Sequence, residues 1–152
     1  MKTFDSLADC FASRPKADCI DECESEGLIH LGSGTSREVF EIPGENRIVK
    51  FHRGNPYQNR NEVSAWENAP ADLKEVLLPV ERYADDYGWL VMPKADSVPG
   101  TPPQIREIYD AVRPSEWNCK DKNPENLGRY QGRIVLIDYG AGCGPSGLGK
   151  PF

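Results

Sequence analysis

The sequence lacks an apolar run long enough to cross a membrane, and it lacks an excess of basic residues. Its 18 Lys and Arg are outnumbered by 24 Asp and Glu, which gives a formal net charge of −6. A membrane-spanning helix needs about 20 apolar residues in a row, and broad binding to nucleic acid or anionic lipid needs a basic surface. The segment Met1 to Ser6 also lacks the apolar stretch of a signal peptide. The composition therefore predicts a cytoplasmic protein that binds neither membranes nor nucleic acid.

Cysteine and histidine are too few and too irregularly spaced for a zinc site or a disulfide framework. There are only two histidines, and the five cysteines show no Cys-x-x-Cys spacing. The cysteines are Cys10, Cys19, Cys23, Cys119 and Cys143. Because an odd number without a motif favours buried free thiols, we expect all five to be reduced.

The sequence does have enough apolar content for one core, in segments whose periodicity changes along the chain. It has 152 residues, of which 38% are hydrophobic. Phe4, Leu7 and Phe11 stand at helical spacing, and a second short helix is predicted over Asp18–Glu26. Strands are predicted over Leu28–Leu31, Glu38–Ile42, Arg47–Phe51, Val80–Tyr83 and Tyr87–Met92. A main helix is predicted over Asn61–Asn68, with a short helical piece over Leu73–Leu78. Together these segments predict a small α+β lobe with a five-stranded antiparallel sheet.

The second half of the chain contains fewer regular elements. The Pro- and Gly-rich segment 93–103 is the strongest break and predicts a hinge. A helix is predicted over Gln104–Val112 and a buried strand over Ile134–Ile137, which ends at Asp138. After Gly140, the composition predicts a loose tail.

A glycine-rich loop lies between the first two predicted strands, in the sequence Leu31-Gly32-Ser33-Gly34-Thr35-Ser36-Arg37-Glu38-Val39. Its backbone amides could approach phosphate groups, because glycine has no Cβ to obstruct them. The alternative is an ordinary glycine-rich hairpin. Rossmann and Walker sites are disfavoured, because in both the glycines open a helix.

Lys50 follows in the predicted strand Arg47-Ile48-Val49-Lys50. Behind β-branched residues, its stem could be buried while its ammonium group positions phosphates; the alternative is a lysine that extends from a strand edge into solvent. Such a lysine needs a carboxylate to hold it, and a helix acid is a natural source. We expect this acid to be Glu62, with Glu67 as the alternative.

A third group of polar residues lies near the predicted strand at 134–137. Asp121 is followed five positions later by Asn126, and Asp138 ends the strand. One acid could accept a hydroxyl proton, while an amide oxygen and a second carboxylate are suitable ligands for a hard divalent cation. The alternative is a polar turn followed by a strand exit.

In this order, these residues resemble the protein-kinase superfamily, whose catalytic loop has the pattern His-Arg-Asp-Leu-Lys-Pro-Glu-Asn and whose metal motif is Asp-Phe-Gly. The resemblance implies an ATP- and Mg²⁺-dependent phosphotransferase. It implies a nucleotide site made of Gly32, Ser33, Gly34, Val39, Lys50 and Met92. Met92 stands where the hinge of the family forms hydrogen bonds with adenine. It further implies Asp121, Lys50 and Glu62 as catalytic residues, with Asn126 and Asp138 as metal ligands.

The resemblance divides the chain into an N-terminal helical segment (1–30), a kinase-like N-lobe (31–92), a hinge (93–103) and a minimal C-lobe (104–152). Four residues depart from the family pattern. The mildest change is Tyr139 in place of Phe. Arg37 replaces the third loop glycine and is expected to lie over the phosphates, as a clamp or as an obstruction. Cys119 and Lys120 stand in place of His and Arg.

Only residues 141–152 follow Gly140, which leaves no room for the usual helical subdomain that receives a peptide. We therefore expect the C-lobe to be completed by a partner protein or a second copy of the chain, or the enzyme to phosphorylate itself or a small acceptor. The alternative function is a non-catalytic kinase-like module that binds nucleotide and regulates a partner.

Overall fold

The structure, a computed structural model, describes residues 2–34, 36–54, 56–97, 103, 117–119, 126–140 and 143–145. The chain divides into two units. The first contains Met1–Asn59 and Val80–Lys94, and the second contains Arg60–Pro79 and Ala95–Phe152. Each unit is described separately below.

The first unit is built on a five-stranded antiparallel sheet, which confirms the predicted lobe. Its strands are β1 (Ile29–Ser33), β2 (Arg37–Ile42), β3 (Arg47–His52), β4 (Arg82–Tyr83) and β5 (Trp89–Pro93). The spatial order is β1-β2-β3-β5-β4, so β3 lies at the centre. Pro93 was predicted to begin the hinge, but it ends β5 and pairs with Arg47.

Two helices pack on this sheet within the same unit: α1 (Phe4–Ser13) and α2 (Lys16–Ser25). Thr3 caps α1, because its hydroxyl accepts a hydrogen bond from the Ser6 amide at 3.2 Å. Phe11 stacks on Phe51 of β3, with ring centroids 5.4 Å apart. The predicted helical spacing of the first segment is therefore confirmed, and its apolar face covers the sheet.

The cysteines of the two helices correct a prediction. Cys10 and Cys19 form a disulfide, with their Cα atoms 5.7 Å apart, whereas both were expected to be free thiols. The spacing of nine residues gave no sign of this bond, because the turn between the helices is what brings the two residues together. Cys23 remains a buried thiol, and burial raises its pKa to about 12. Because a protonated thiol is a poor nucleophile, Cys23 does not readily exchange with the neighbouring disulfide.

We predict a three-step labelling pattern with iodoacetamide. In the folded protein Cys23 should stay unlabelled, because it is buried and protonated at neutral pH. Denaturation without reductant should expose Cys23 alone among the first three cysteines, and reduction should then release Cys10 and Cys19. Peptide mapping by mass spectrometry reads each step. Labelling of Cys10 and Cys19 before reduction would show that they are free thiols, as the sequence predicts, and would contradict the disulfide.

Helix α3 (Tyr57–Asn68) begins at Tyr57 rather than at the predicted Asn61. Its first residues belong to the first unit and the rest to the second. The following helix, α4 (Ala71–Lys74), is shorter than the predicted Leu73–Leu78. The reason is that the Leu78 amide donates to the Leu136 carbonyl at 2.9 Å, so the chain after α4 pairs like a strand.

The second unit contains short strands, namely β6 (Asp96–Ser97), β7 (Trp117–Cys119), β8 (Leu127–Tyr130), β9 (Arg133–Leu136) and β10 (Cys143–Pro145). Strands β6, β8 and β9 form one antiparallel sheet, and β10 pairs with β7. The prediction of a loose tail was therefore wrong at Cys143–Pro145, and the segment predicted as a hinge contains a short strand at Asp96–Ser97. Backbone pairing needs no apolar alternation, which explains why the sequence pattern missed both strands. The predicted helix Gln104–Val112 lies outside the described residues.

Gly128 shows how closely β6 and β8 approach each other. A Cβ at this position would lie 2.7 Å from Cγ2 of Ile137 and 3.1 Å from the Asp96 carbonyl oxygen. Only glycine therefore fits between β6 and β9.

Across the described ranges, none of the helices has the length and apolar character needed to span a lipid bilayer.

Candidate functional site

Lys50 lies at the centre of the sheet in the first unit. It pairs with Val39 of β2 on one side and with Leu90 of β5 on the other. Only 3% of its surface is exposed, whereas lysine is among the residues least often buried. The expectation that the stem of Lys50 is buried is therefore confirmed, and the alternative of a solvated edge lysine is wrong.

The glycine-rich loop is the tip of the β1–β2 hairpin, as predicted. Gly32 pairs with Val39, Ser33 pairs with Glu38, and the Gly34 amide donates to the Arg37 carbonyl at 2.8 Å. A Cβ at Gly32 would meet no atom within 4 Å, and one at Gly34 would meet only the Arg37 carbonyl oxygen at 3.7 Å. Neither glycine has a positive φ. Protein packing and backbone conformation therefore do not require glycine here, and the binding of phosphates by this loop stays a prediction.

A buried carboxylate, Glu38, fixes this hairpin. Its Oε1 accepts a hydrogen bond from the Ser33 hydroxyl at 2.5 Å, so the Ser33 side chain is turned toward the protein. Three cationic or titratable side chains approach Glu38 within 3.5 Å, and they come from α2, from β1 and from the segment after β3. They are Lys16, His30 and Arg53. The sequence analysis missed this cluster, because none of its members stands near another in a recognisable motif.

Arg53 contributes a second contact to the hairpin. Its Nη2 donates to the Gly34 carbonyl at 2.6 Å, and its backbone amide donates to the Ser36 carbonyl at 2.7 Å. The tip of the hairpin is therefore held by the segment that follows β3 as well as by its own turn.

The prediction for Arg37 was wrong. Its side chain is 4% exposed and lies inside the first unit, where Nη1 donates to Oδ1 of Asn59 at 3.3 Å. In the described structure it therefore neither covers the hairpin tip nor blocks it. Asn59, in turn, is fully buried and donates to the Lys50 carbonyl at 3.2 Å. Sequence reasoning missed Asn59, since a polar residue at a helix start usually indicates a solvated position.

Met92 lies near the end of β5. It pairs with Ile48 of β3, and its side chain is fully buried. Contact with a ligand at this position would therefore be made by the backbone. Two positions along, the Lys94 amide donates to the Asn46 carbonyl at 2.9 Å, which fixes the chain where it leaves the sheet.

In the second unit, α3 holds the segment Asp138-Tyr139-Gly140. Oε2 of Glu62 accepts a hydrogen bond from the Tyr139 amide at 2.9 Å, and Nδ2 of Asn61 donates to the Gly140 carbonyl at 2.8 Å. Glu62 is fully buried, whereas Glu67 is exposed. Burial therefore distinguishes the two candidate acids, and the pairing of Glu62 with Lys50 stays a prediction.

Tyr139 explains a mild departure from the family pattern. The side chain is fully buried, and its hydroxyl donates to the Leu78 carbonyl at 2.6 Å. A buried hydroxyl without a partner would cost free energy, so this bond is what allows tyrosine in place of phenylalanine.

Asn126 and Asp138 lie in the segments that flank the open end of the β8–β9 hairpin. The Ile137 amide donates to the Asn126 carbonyl at 2.7 Å, which places Asn126 opposite the residue that precedes Asp138. Asn126 is largely buried and Asp138 is exposed. Asp121 lies outside the described residues, as do Lys120 and Lys122.

The donor atoms of this pair suit magnesium. Mg²⁺ takes oxygen ligands and is held in phosphate-binding sites by one or two carboxylates, with the remaining positions filled by phosphate and water. Asn126 and Asp138 provide one amide oxygen and one carboxylate. Among the residues that the structure describes, no three His, Cys, Asp or Glu side chains cluster as a metal site. The pair therefore fits an ion shared with a phosphate ligand rather than one held by protein alone.

The chain was compared with known proteins. No protein-family model and no curated protein matches it. Among solved structures, WbdD in complex with a kinase inhibitor is similar with a TM-score of 0.57 and 20% sequence identity, over 78% of this chain. The kinase domain of Mycobacterium tuberculosis PknI is similar with a TM-score of 0.42 and 21% identity, over 74% of this chain.

The likeness covers only part of each of these structures. This chain spans 34% of the WbdD chain and 57% of the PknI chain. At this level of identity the comparison establishes the fold alone. Together with the five-stranded sheet and the order of its elements, it identifies the chain as a protein with a protein-kinase-like fold.

Proposed function

We propose that this chain is a phosphotransferase of protein-kinase-like type that binds ATP with Mg²⁺. The observation that carries the proposal is the buried Lys50, which lies in the central strand beside a hairpin whose glycines have no packing role. A lysine in the strand that follows a glycine-rich hairpin is the cation that a kinase-like fold uses to position the α and β phosphates of ATP.

The proposed roles of the other residues follow from their chemistry. The hairpin backbone at Gly32, Ser33 and Gly34 would lie over the phosphates, which can approach it closely where glycine has no side chain. The backbone at Met92 would face adenine. Mg²⁺, when bound, neutralises charge on the β and γ phosphates. Asn126 and Asp138 would hold it through their side-chain oxygens.

The chemical step needs one more residue, Asp121. The acceptor hydroxyl oxygen attacks the γ phosphorus, the bond between that phosphorus and the β–γ bridging oxygen breaks, and ADP leaves. The hydroxyl proton passes to the Asp121 carboxylate. Glu62 would act on Lys50 as its counter-ion, which is the interaction that the family resemblance implies.

We predict that ATP stabilises the protein only when Mg²⁺ is present. A ligand at 100 times its Kd adds about 2.7 kcal/mol to the free energy of unfolding, which a thermal melt detects as a higher Tm. Asp138→Asn should remove most of this shift, because it removes the carboxylate proposed to hold the metal. Asp96→Asn is the matched control, since Asp96 is also an exposed aspartate of the second unit. If millimolar ATP with Mg²⁺ leaves the Tm of the wild type unchanged, the proposed nucleotide site is wrong.

A second candidate function is a non-catalytic module that binds nucleotide and regulates a partner protein. The observation that favours it is Cys119-Lys120, where the resemblance places His-Arg before the catalytic aspartate. Such a module would keep the Mg²⁺-dependent ATP shift but would transfer no phosphate.

Cytoplasmic location belongs to the same proposal, and one observation opposes it. Disulfides are rare in reducing compartments, and Cys10 and Cys19 form one. The labelling experiment described above therefore also tests the location. A protein whose Cys10 and Cys19 stay bonded in freshly lysed cells would not belong to a reducing cytoplasm.

A further inference from the structure

Asn59 makes three hydrogen bonds from a fully buried position near the start of α3. Its Nδ2 donates to the Lys50 carbonyl at 3.2 Å and to the Tyr87 carbonyl at 2.9 Å. Its Oδ1 accepts from Nη1 of Arg37 at 3.3 Å. One side chain thus connects β2, β3, α3 and the turn between β4 and β5, all within the first unit.

The orientation of this amide is fixed by its partners. The two carbonyls only accept hydrogen bonds, and the arginine guanidinium only donates them. A flipped amide would place its oxygen against two carbonyl oxygens and its NH₂ group against Arg37. Arg37 therefore determines which way Asn59 points, and Asn59 determines what the Lys50 carbonyl contacts.

Tyr87 adds a reason for the network. It has a positive φ of 61°, a conformation that is uncommon for residues other than glycine. The bond from Asn59 holds the carbonyl of this residue in place. The same amide group of Asn59 therefore holds both the turn that leads into β5 and the backbone of Lys50.

We propose that Asn59 is a positioning residue for Lys50 and that Arg37 serves it by orienting the amide. This inference rests on the proposed function, because it assumes that Lys50 contacts phosphate. It also explains the arginine at the third glycine position of the loop. Glycine there would leave Oδ1 of Asn59 without its cationic donor, and a buried unsatisfied amide is costly.

The test compares two ligands that differ only in their phosphates. Calorimetric titration with Mg²⁺ present gives the Kd of ATP and of adenosine for the wild type and for Asn59→Leu. We expect the Kd of ATP to rise by about three- to tenfold, the effect of losing a hydrogen bond or two. The Kd of adenosine should not change, because adenosine has no group near Lys50. If Asn59 had a merely structural role, the substitution would weaken the binding of both ligands equally or the binding of neither.

Two further variants make the test specific. Arg37→Met leaves the hydrogen bonds that Asn59 donates in place, so it should raise the Kd of ATP by a smaller factor than Asn59→Leu does. If Asn59→Leu does not fold, Arg37→Met decides the outcome. In a Lys50→Met background, Asn59→Leu should have no further effect on ATP, because the group it positions is gone. Asn68→Ala is the matched control, since Asn68 is an exposed asparagine on the same helix, bonded only within it.

The outcomes separate the two levels of the proposal. The positioning role would be overturned if folded Asn59→Leu and Arg37→Met kept the wild-type ratio of the Kd of ATP to the Kd of adenosine. This includes the case in which both variants lose affinity equally for the two ligands. A wild-type protein that binds no ATP with Mg²⁺ would instead refute the proposed function, before any variant is measured.

Discussion

Asp121→Asn is expected to lower the rate of phosphoryl transfer by about two to four orders of magnitude, the usual contribution of a general base. The affinity for ATP should stay close to that of the wild type, because the proposed role of Asp121 is on the acceptor side of the γ phosphate. Asparagine keeps the size and shape of the side chain but cannot accept the proton. Quenched assays of phosphate transfer, together with calorimetric titration of ATP, measure both quantities.

Lys50→Ala provides the contrasting result. It should weaken ATP binding and transfer together, because Lys50 is proposed to contact the α and β phosphates, which are bound throughout but are not transferred to the acceptor. Asp85→Asn is the control for a conservative change at an exposed aspartate, and it should alter neither quantity. If Asp121→Asn transfers phosphate as fast as the wild type, Asp121 has no part in the chemistry.

Phe51→Ala is expected to destabilise the first unit by about 3–5 kcal/mol, the cost of emptying a large buried aromatic position. Phe51 is fully buried in β3, the central strand of the sheet. Its ring lies 5.4 Å from that of Phe11 on α1 and 5.8 Å from that of Phe40 on β2, measured between centroids. The substitution therefore removes contacts with both the helix and the sheet. Domains are stable by only about 5–15 kcal/mol in total, so this is a large share.

Urea titration measures the loss of stability, and amide hydrogen exchange over residues 47–52 assigns it to the first unit. Leu31→Ala is the matched control, since Leu31 lies on β1 of the same sheet and is 49% exposed. We expect it to change the free energy of unfolding by about 0.5 kcal/mol or less. Equal effects of the two substitutions would contradict the packing of α1 on β3.

The five-stranded sheet could be predicted because its strands are short segments rich in β-branched and aromatic residues and are separated by strong turn residues. Lys50 could be predicted for the same reason: it follows Ile48 and Val49 in a strand that lies at the centre of the sheet. The ends of the elements were less accurate. Helix α3 begins four positions earlier than predicted because its first turn has no apolar pattern, and Asn59 takes part in a polar network there instead.

The rest could not be predicted because it depends on contacts between distant residues. Asn59 bonds to residues 9, 22 and 28 positions away along the chain. Arg37 was expected over the hairpin tip because the family comparison considers the loop alone. The partner that buries the arginine lies on a helix that the loop sequence does not include. The Cys10–Cys19 bond depends on the turn between two helices and follows no spacing rule.

The measurement that tests the central claim most directly is the intact mass of the purified wild-type protein after incubation with ATP and Mg²⁺, with released ADP measured in the same sample. We predict phosphate added to the protein, or transferred to an added hydroxyl acceptor with release of ADP, only when both ATP and Mg²⁺ are present. Neither should occur with Asp121→Asn. A wild-type protein that binds ATP with Mg²⁺ but gains no phosphate and releases no ADP would contradict the phosphotransferase assignment and leave the nucleotide-binding module as its function.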